Sequence, residues 1–458
     1  MRLSKFMAVA AAAVLSVSLT GCSGGSSSSA VEDTNADKGL PVVGSTLKYD
    51  PNKLVNDGKP ITLEWWMWGG EDQFKGFVDA YRKIHPNVDI KIVTHPWDDY
   101  WTKLPLALKE GANPVLFNIH NSYHDNIINY LEPYDIPVEE LEADYQGAGA
   151  HVIDGKIYYT DFGLMSGAIF YNKDMWAEAG LTDADIPQTW DQFREVAKKL
   201  TVRDGDNFQR AGFNFNDSFS AFMPGLHYQR GQNLMQADMK TPDINNQAML
   251  EDVKMFRDFY DVDKVGSKDF GPVANEAFGQ GMAAMVYSWG HFNNTLHTDY
   301  PDINFGVFRT PIHDAKTEPY AYDRYNGEST PGINAKASAA EKEVAQDFLR
   351  FFLTDKEHLK QICLEYSVFP MYKELSDDTD IKAHPVLAAL GSIDRYIWPG
   401  PMPATIEKNL SKMWEDILHN GVSAQAGLEA AQQAIATDLS QTSFVSVEKL
   451  YPHYKASK

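Results

Sequence analysis

Aromatic and acidic side chains gather at two places in the first quarter of the sequence, each directly after an apolar run. Indole rings cover the C–H faces of a ligand, and carboxylates accept protons from its hydroxyl groups. Almost no cation accompanies them, so this combination suits a neutral polyhydroxylated ligand such as a sugar. The candidate residues here are Trp66, Trp68, Glu71, Asp72, Trp97 and Asp98.

A strand–turn–helix–strand unit is predicted to position these side chains. Residues 61–67 form an apolar run typical of a buried parallel strand, and Gly69-Gly70 ends it. Apolar residues then recur at helical spacing as far as Pro86, and residues 89–93 alternate like a second strand. A β-α-β unit binds ligands at the carboxyl ends of its strands, where the candidate residues stand.

Strand-like and helix-like segments continue to alternate over roughly 400 residues without an internal repeat, which indicates an α/β fold. Gly163 and Gly167 interrupt one apolar stretch and indicate a crossover of the chain. The length exceeds that of a single compact domain. We therefore expect two lobes with a cleft between them.

The first residues are typical of a targeting segment. Arg2 and Lys5 precede an uncharged, alanine-rich run that is shorter than the ~20 residues of a membrane-spanning helix. The run ends in a Leu-Thr-Gly-Cys sequence that resembles the bacterial lipoprotein signal, which implies acylation of Cys22. A plain secretory leader is the alternative. We expect residues 1–21 to be the leader and residues 22–58, which begin with a small polar stretch, to be a flexible tether.

The charge balance argues against nucleic acid as a partner. The sequence holds 63 acidic and 41 basic residues, for a net charge of −22, whereas nucleic-acid binding needs a basic surface. The same balance disfavours a phosphate-rich ligand. No phosphate loop, dinucleotide-binding motif or serine nucleophile motif is present in the sequence, so we expect no cofactor and no catalytic residue.

Short motifs in a fixed order resemble a known family. They are the opening LEWWMWGG, then YNKD at 171–174, PQTW at 187–190, the segment 282–290, GINA at 332–335 and IWP at 397–399. Together, behind a lipoprotein signal, they resemble the extracellular solute-binding proteins of bacterial ABC importers, in the carbohydrate-binding group that includes the maltose-binding protein. The resemblance covers nearly the whole chain after the leader.

The resemblance implies an architecture and a set of partners. It implies a periplasmic-binding-protein-like fold whose two α/β lobes are joined by a hinge and close on a sugar in the interlobe cleft. A monomer would be anchored by lipid on the extracytoplasmic face of the cell envelope and would deliver the sugar to the transmembrane subunits of an ABC permease. The expected lobe limits are 59–163 for the first part of lobe 1, 164–310 for the first part of lobe 2, 311–372 for the return to lobe 1 and 373–458 for closing helices, mostly of lobe 2.

The resemblance also implies further cleft residues. His120 and Asn121 follow the third predicted strand, Met165 lies at the crossover where the family often has a polar residue, and Trp289 matches a sugar-stacking tryptophan. The other implied cleft residues are Asn216, Phe219, Glu328 and Trp398.

Three alternatives involve other chemistry. A sugar acid or a glycerol phosphodiester could be clamped by Arg324 or Arg395, because a guanidinium group binds an oxyanion through two hydrogen bonds. A glycoside hydrolase would need two carboxylates flanking the scissile bond, but no hydrolase motif accompanies the many acidic residues. His120 and His124 stand four residues apart without a third metal ligand, so we expect no metal site.

Overall fold

The computed structural model describes residues 38–456. The predicted leader (1–21), the Cys22 anchor and residues 22–37 of the predicted tether lie outside the described residues. The described remainder of that segment, 38–58, corrects the tether prediction. Leu47, Tyr49 and Val55 are buried in the first hydrophobic core, and an Asp144 carboxylate oxygen accepts the backbone N–H of Leu47 at 2.7 Å. Apolar side chains in this segment pack on the folded body, which a purely polar linker cannot do.

Strands and helices alternate through the described residues. The strands are β1 Ile61–Met67, β2 Val88–Thr94, β3 Leu116–Phe117, β4 Leu131–Glu132, β5 Val152–Ile153, β6 Lys156–Ile157, β7 Asp161–Asn172, β8 Val202–Asp204, β9 Asn207–Arg210, β10 Met285–Trp289, β11 Phe305–Phe308, β12 Asp323–Ser329, β13 Gly332–Asn334, β14 Phe369–Pro370 and β15 Tyr396–Ile397. The helices are α1 Glu71–Ile84, α2 Trp97–Glu110, α3 His124–Ile127, α4 Val138–Asp144, α5 Lys173–Glu178, α6 Trp190–Leu200, α7 Phe219–Gln229, α8 Gln247–Asp261, α9 Ala274–Gly279, α10 Phe292–Asp299, α11 Ala339–Thr354, α12 Lys356–Tyr366, α13 Thr379–Ala383, α14 Pro385–Leu390, α15 Ala404–His419 and α16 Ala424–Leu439.

The first sheet has the strand order β2-β1-β3-β13-β4. Strand β1 runs parallel to both of its neighbours, β2 and β3, so the loops after these strands meet at one edge of the sheet. Helix α1 begins after Gly70, whose φ of +76° is a left-handed conformation that glycine adopts without strain. Its Phe77 ring stacks on Phe352 of α11 at 4.2 Å between ring centroids. Helices α1 and α11 thus cover the sheet and fix where β1 ends.

The second sheet has the strand order β10-β7-β12-β15. Strand β7 has twelve residues, all of them buried. Its first half pairs with β12 and β14, and its second half pairs with β10 and β11. Leu164 lies in the first hydrophobic core and Ile169 in the second. Strand β7 therefore carries the chain from one core to the other, with β12 antiparallel beside it.

The closing helices pack on the second core. The Trp414 ring of α15 lies 4.1 Å from the Phe219 ring of α7, and Leu428 of α16 is buried in the same core. None of the helices within residues 38–456 combines the length and the apolar character that crossing a bilayer requires. The lobe limits given above remain predictions.

Candidate functional site

A cavity of about 450 Å³ lies where the loops of the first sheet meet strands β7, β10 and β12. This volume falls in the usual range of small-molecule sites, roughly 300–1,000 Å³. Its walls come from segments that are far apart in the chain. Among its lining residues are Trp68, Gln73, Trp97, His120, Asn121, Ser122, Met165, Trp289, His291, Asn294, Thr295, Arg324, Tyr325, Asn326, Glu328, Glu365, Tyr366, Met402 and Glu407.

Half of the residues predicted from the sequence line this cavity. They are Trp68, Trp97, His120, Asn121, Met165, Trp289 and Glu328. The parallel strands β1 and β3 bring Trp68 and His120 together, and the pairing of β7 with β10 and β12 brings Met165, Trp289 and Glu328 beside them. Their role in binding a ligand stays a prediction.

The acidic residues predicted near the start of the chain lie outside the cavity. Glu71 and Asp72 occupy the first turn of α1, and Asp98 occupies the first turn of α2. All three side chains are exposed. A carboxylate in this position stabilises the positive end of the helix dipole, which accounts for these residues without a ligand. Helix α2 begins at Trp97, whose side chain lines the cavity. The side chain of the next residue, Asp98, is exposed to solvent.

Four further predicted residues also lie elsewhere. Phe219 is fully buried in the second core, and the Asn216 side-chain oxygen accepts a 2.7 Å hydrogen bond from the Tyr260 hydroxyl. Trp66 lies on β1 two residues before Trp68, and its ring packs against that of His95 with 4.5 Å between centroids. The remaining residue, Trp398, is 8% exposed.

Trp398 stands directly behind a cavity residue. Its ring is nearly parallel to that of Tyr325, with 6.4 Å between centroids and 11° between planes. On its other side the His151 ring lies at 5.0 Å. Trp398 therefore supports the cavity wall and does not line it.

The wall on the first lobe is built of packed aromatic rings. The Trp68 ring contacts Trp97 at 5.3 Å, Trp101 at 5.5 Å and His120 at 6.1 Å between centroids. Trp101 in turn stacks on Tyr123 at 3.9 Å with 3° between planes. These contacts hold Trp68 in one orientation. Trp97 is 39% exposed, so an aromatic surface extends from the cavity toward its mouth.

The wall on the second lobe combines an aromatic ring with a cation. Trp289 ends β10, and the Arg324 guanidinium carbon lies 4.8 Å from the centroid of its ring. Arg324 is 5% exposed, and its Nε donates a long hydrogen bond of 3.4 Å to the Ala221 carbonyl oxygen. An arginine stacked on indole gains a cation–π attraction and keeps its terminal N–H groups free to donate.

Glu328 of β12 is held between two other segments of the chain. A backbone bridge pairs it with His120 of the first lobe, and β12 pairs its backbone with Gly163 of β7. Burial, reinforced by the nearby Asp161 carboxylate, raises the pKa of Glu328 to about 7. Near neutral pH the side chain is therefore protonated to a large extent and can donate as well as accept a hydrogen bond.

A buried network beneath the cavity holds Asp161 in place. Its carboxylate accepts the Ser329 hydroxyl at 2.9 Å and faces the His151 Nε2 at 3.1 Å. The Asn121 side-chain amide donates to the Gly327 carbonyl oxygen at 2.8 Å. These contacts tie the loop after β3 to the neighbouring strands β7 and β12 beneath the cavity.

Burial also sets the protonation of His120. It lowers the pKa of this imidazole to about 4, while the Glu407 carboxylate opposes that shift and Arg324 adds to it. His120 is thus neutral at physiological pH. Its Nδ1 faces the backbone N–H of Ser122 at 3.2 Å, so the ring has a defined orientation in the cavity wall.

Sequence reasoning did not select several cavity residues. His291, Asn294 and Thr295 follow Trp289 at the beginning of α10, and Tyr366 ends α12. A strand that ends in tryptophan directly before a helix is a signal that could have drawn attention to the first three. Nothing in the local sequence of α12 marks Tyr366, because its neighbours across the cavity come from distant segments.

The carboxylates considered for hydrolysis are not gathered in one place. The carboxylates that could supply a hydrolytic pair were Glu71, Asp72, Asp98, Asp99 and Glu328, and of these Glu328 lines the cavity whereas the other four do not. Within residues 38–456, no cluster of three or more His, Cys, Asp or Glu side chains has an arrangement that could hold a metal ion. The cavity of the described residues is therefore a site of aromatic surfaces, amides, carboxyl groups and one arginine.

Comparison with known proteins adds the following findings. Residues 76–389 match the family model described as bacterial extracellular solute-binding protein. A maltotriose-binding protein of Pyrococcus abyssi is 24% identical over 377 residues, which is 76% of this chain and 79% of that protein. Binding proteins of Brucella abortus and Brucella suis are 22% identical over 253 residues, and the match spans only 59% of their length.

Solved structures resemble most of the described residues. The maltodextrin-binding domain of Bdellovibrio bacteriovorus, bound to maltotriose, superposes with a TM-score of 0.70 at 19% identity and covers 83% of this chain and 100% of that one. UgpB of Mycobacterium tuberculosis, in complex with glycerophosphocholine, superposes with a TM-score of 0.69 at 17% identity, over 83% of this chain and 99% of that one. The two-lobed α/β fold class expected from the sequence is thereby confirmed.

Proposed function

The chain belongs to the bacterial extracellular solute-binding protein family, as its motifs indicated, and from that premise we propose that it is the substrate-binding component of an ABC sugar importer. It binds a mono- to oligosaccharide between its lobes, closes on it and delivers it to the membrane permease without chemical conversion. It acts as a monomer on the extracytoplasmic face, anchored through acylated Cys22.

One observation carries the choice of ligand: aromatic rings stand on both walls of a cavity whose floor is polar. Trp68 lies on one lobe and Trp289 on the other, while Asn326 and Glu328 lie between them on β12. A pyranose ring has apolar C–H faces and a rim of hydroxyl groups, so it needs both kinds of surface. The names of the maltotriose-binding relative and of the maltotriose-bound structure support the same ligand class.

The position of the cavity supports closure as the transport signal. Its residues come from both lobes, so only a closed form can contact the ligand from both sides. Ligand therefore shifts the population toward that form, and closing excludes water, which strengthens each hydrogen bond inside. The permease would then recognise the closed shape.

A second candidate function rests on Arg324. The runner-up ligands are a sugar acid and a glycerol phosphodiester, and a buried arginine in the cavity favours them. Arg395, the other arginine considered, does not line the cavity. It forms a 2.7 Å ion pair with Glu318.

A thermal-shift screen tests the ligand class. The panel contains monosaccharides, disaccharides, oligosaccharides, sugar acids and glycerol phosphodiesters, and a ligand at a hundred times its Kd stabilises by about 2.7 kcal/mol. Each compound that shifts the Tm is then titrated calorimetrically against the wild type, Trp68→Ala and, as a matched control away from the cavity, Trp176→Phe. We expect Trp68→Ala to weaken binding and Trp176→Phe to leave it unchanged. If no compound in the panel raised the Tm, the result would contradict the proposal.

Two further measurements test the remaining parts. Chromatography of the bound sugar after long incubation should return it unchanged; clean hydrolysis would instead identify a carbohydrate-active enzyme. Expressed in a bacterium with lipoprotein processing, the wild type should fractionate with the membrane and Cys22→Ser with the soluble envelope fraction. Equal distribution of both would contradict the anchor.

A further inference from the structure

The cavity holds a buried guanidinium group that forms no ion pair with the carboxylates of residues 38–456. Arg324 is 5% exposed, and its one side-chain hydrogen bond within residues 38–456 joins Nε to the Ala221 carbonyl oxygen at 3.4 Å. Within the same residues no carboxylate oxygen lies within 4.0 Å of its nitrogen atoms. Removing a charge from water is strongly unfavourable unless an opposite charge or hydrogen bonds compensate it.

Asp323, the adjacent residue, supplies only part of that compensation, since its carboxyl group interacts with the charge and the backbone N–H of Arg324. Its side chain lies on the other side of β12, within 3.4 Å of the Tyr287 hydroxyl and of the Thr310 hydroxyl. Burial raises the pKa of Asp323 to about 7, so a large share of this carboxyl group carries no charge near neutral pH. The terminal N–H groups of Arg324 therefore face the cavity with their positive charge largely unmatched.

The carboxyl groups of the cavity act on other residues. Burial, reinforced by the Glu328 and Glu365 carboxylates, raises the pKa of Tyr366, and burial, reinforced by Glu407, raises that of Tyr123. Glu328 lies four residues beyond Arg324 on the same face of β12, about 13 Å away at ~3.3 Å per strand residue. The cavity floor thus runs from a cation, past the Asn326 amide, to a carboxyl group that is in large part neutral.

From this arrangement we propose that the ligand carries an oxyanion, a carboxylate or a phosphate, which Arg324 clamps against Trp289 while the polyhydroxylated body extends along β12 toward Glu328 and Trp68. The importer would accordingly select an acidic sugar or a sugar-like phosphoester over its neutral counterpart. This inference rests on the proposed function and, within it, selects the second candidate, the acidic ligands, over neutral sugars. Charge-assisted hydrogen bonds to arginine are roughly twice as strong as neutral ones and match the planar shape of a carboxylate.

Paired ligands test the inference without knowledge of the natural cargo. The carboxylate arm compares galacturonic-acid oligosaccharides with galactose oligosaccharides of equal length. The phosphate arm compares glycerophosphocholine and glucose 1-phosphate with glycerol and glucose. Calorimetric titration at constant ionic strength should show at least one acidic probe binding about 10- to 100-fold more tightly than its neutral partner, and the arm that shows it identifies the source of the oxyanion.

Variants then assign the preference to Arg324. Arg324→Gln should abolish the preference for the acid, and Arg324→Lys should retain part of it. Arg395→Gln, which removes a surface arginine paired with Glu318, should keep it in full. Thermal melting without ligand shows whether each variant is folded. The comparison of acidic and neutral ligands on the wild type tests the oxyanion inference even where a variant does not fold.

Each outcome bears on a different claim. Neutral partners that bind as tightly as the acids would overturn the oxyanion inference and leave the sugar importer standing. A preference that survives in Arg324→Gln would overturn the assignment to this residue. Binding of no probe in either set would contradict the proposed function and the inference with it.

Discussion

Replacing Glu328 by glutamine should change how the stability of the protein depends on pH. Glu328 lies on the cavity floor near Asp161, and burial followed by that neighbouring carboxylate raises its pKa from 4.5 to about 7. A carboxyl group whose pKa is raised on folding contributes its full stability below the pKa of the unfolded chain. That contribution is lost as pH rises through the folded pKa. Glutamine keeps the size and the hydrogen-bonding capacity of the protonated acid but cannot ionise.

The expected difference in Tm follows from the raised pKa of Glu328. A change of about 2.5 pKa units corresponds to about 3 kcal/mol in total, of which about 2.5 kcal/mol falls between pH 5 and pH 8. An unfolding entropy of ~2.1 cal/mol/K per residue over about 420 ordered residues gives ~0.9 kcal/mol/K. Between pH 5 and pH 8 the wild-type Tm should therefore fall about 3 °C further than that of Glu328→Gln.

Scanning calorimetry at pH 5, 6, 7 and 8, at one ionic strength and without ligand, measures this difference. Comparing the two proteins cancels the titration of all other groups. Glu365→Gln, which replaces a second cavity carboxyl group on α12, is the matched control for removing an acid from the cavity wall. Parallel profiles for wild type and Glu328→Gln would refute the reasoning, because Glu328 would then titrate alike in the folded and unfolded states.

The other predictions concern ligand stacking and backbone packing. Trp289→Ala should weaken binding of the best ligand from the screen by more than ~1 kcal/mol, which is the contribution of an aromatic contact beyond its buried area. The control variant Trp176→Phe should leave the Kd unchanged in the same titration. An unaltered Kd for Trp289→Ala would show that this ring is not part of the site. Gly327→Ala should destabilise by more than ~2 kcal/mol in denaturant unfolding, because its methyl group would lie 1.9 Å from a buried carboxylate oxygen. Gly69→Ala is the control, since no described atom lies within 4 Å of the position that its methyl group would take. Equal stability of the two variants would show that the residues around Gly327 rearrange to accommodate the methyl group.

Local sequence patterns were enough to predict the first β-α-β unit. The apolar run 61–67 is strand β1, the glycine pair ends it, and helical spacing up to Pro86 marks α1. These features depend on propensity and periodicity within a few residues, which the sequence states directly. The predicted end of β1 also placed Trp68 correctly at the edge of the sheet, where it lines the cavity.

The same patterns could not distinguish a residue of the core from a residue of the cavity. Phe219 and Trp289 are both aromatic residues of the second lobe, yet the first is fully buried against Trp414 and the second faces the cavity. Glu71 and Glu328 are both acidic residues near strand ends, but the first lies in an exposed helix turn. Which side of an element meets the other lobe depends on contacts that no local window contains.

The sequence by itself determined the α/β alternation, the family and the aromatic and polar character of the candidate site, because these reside in residue types and short-range order. Only the tertiary structure decided which side chains meet. Strand β7 carries the chain from one core to the other, and β12 returns beside it, so Trp68, Trp289 and Arg324 converge on one cavity. The largely unmatched charge of Arg324 and the raised pKa of Glu328 arise from that convergence, since burial and distance set both.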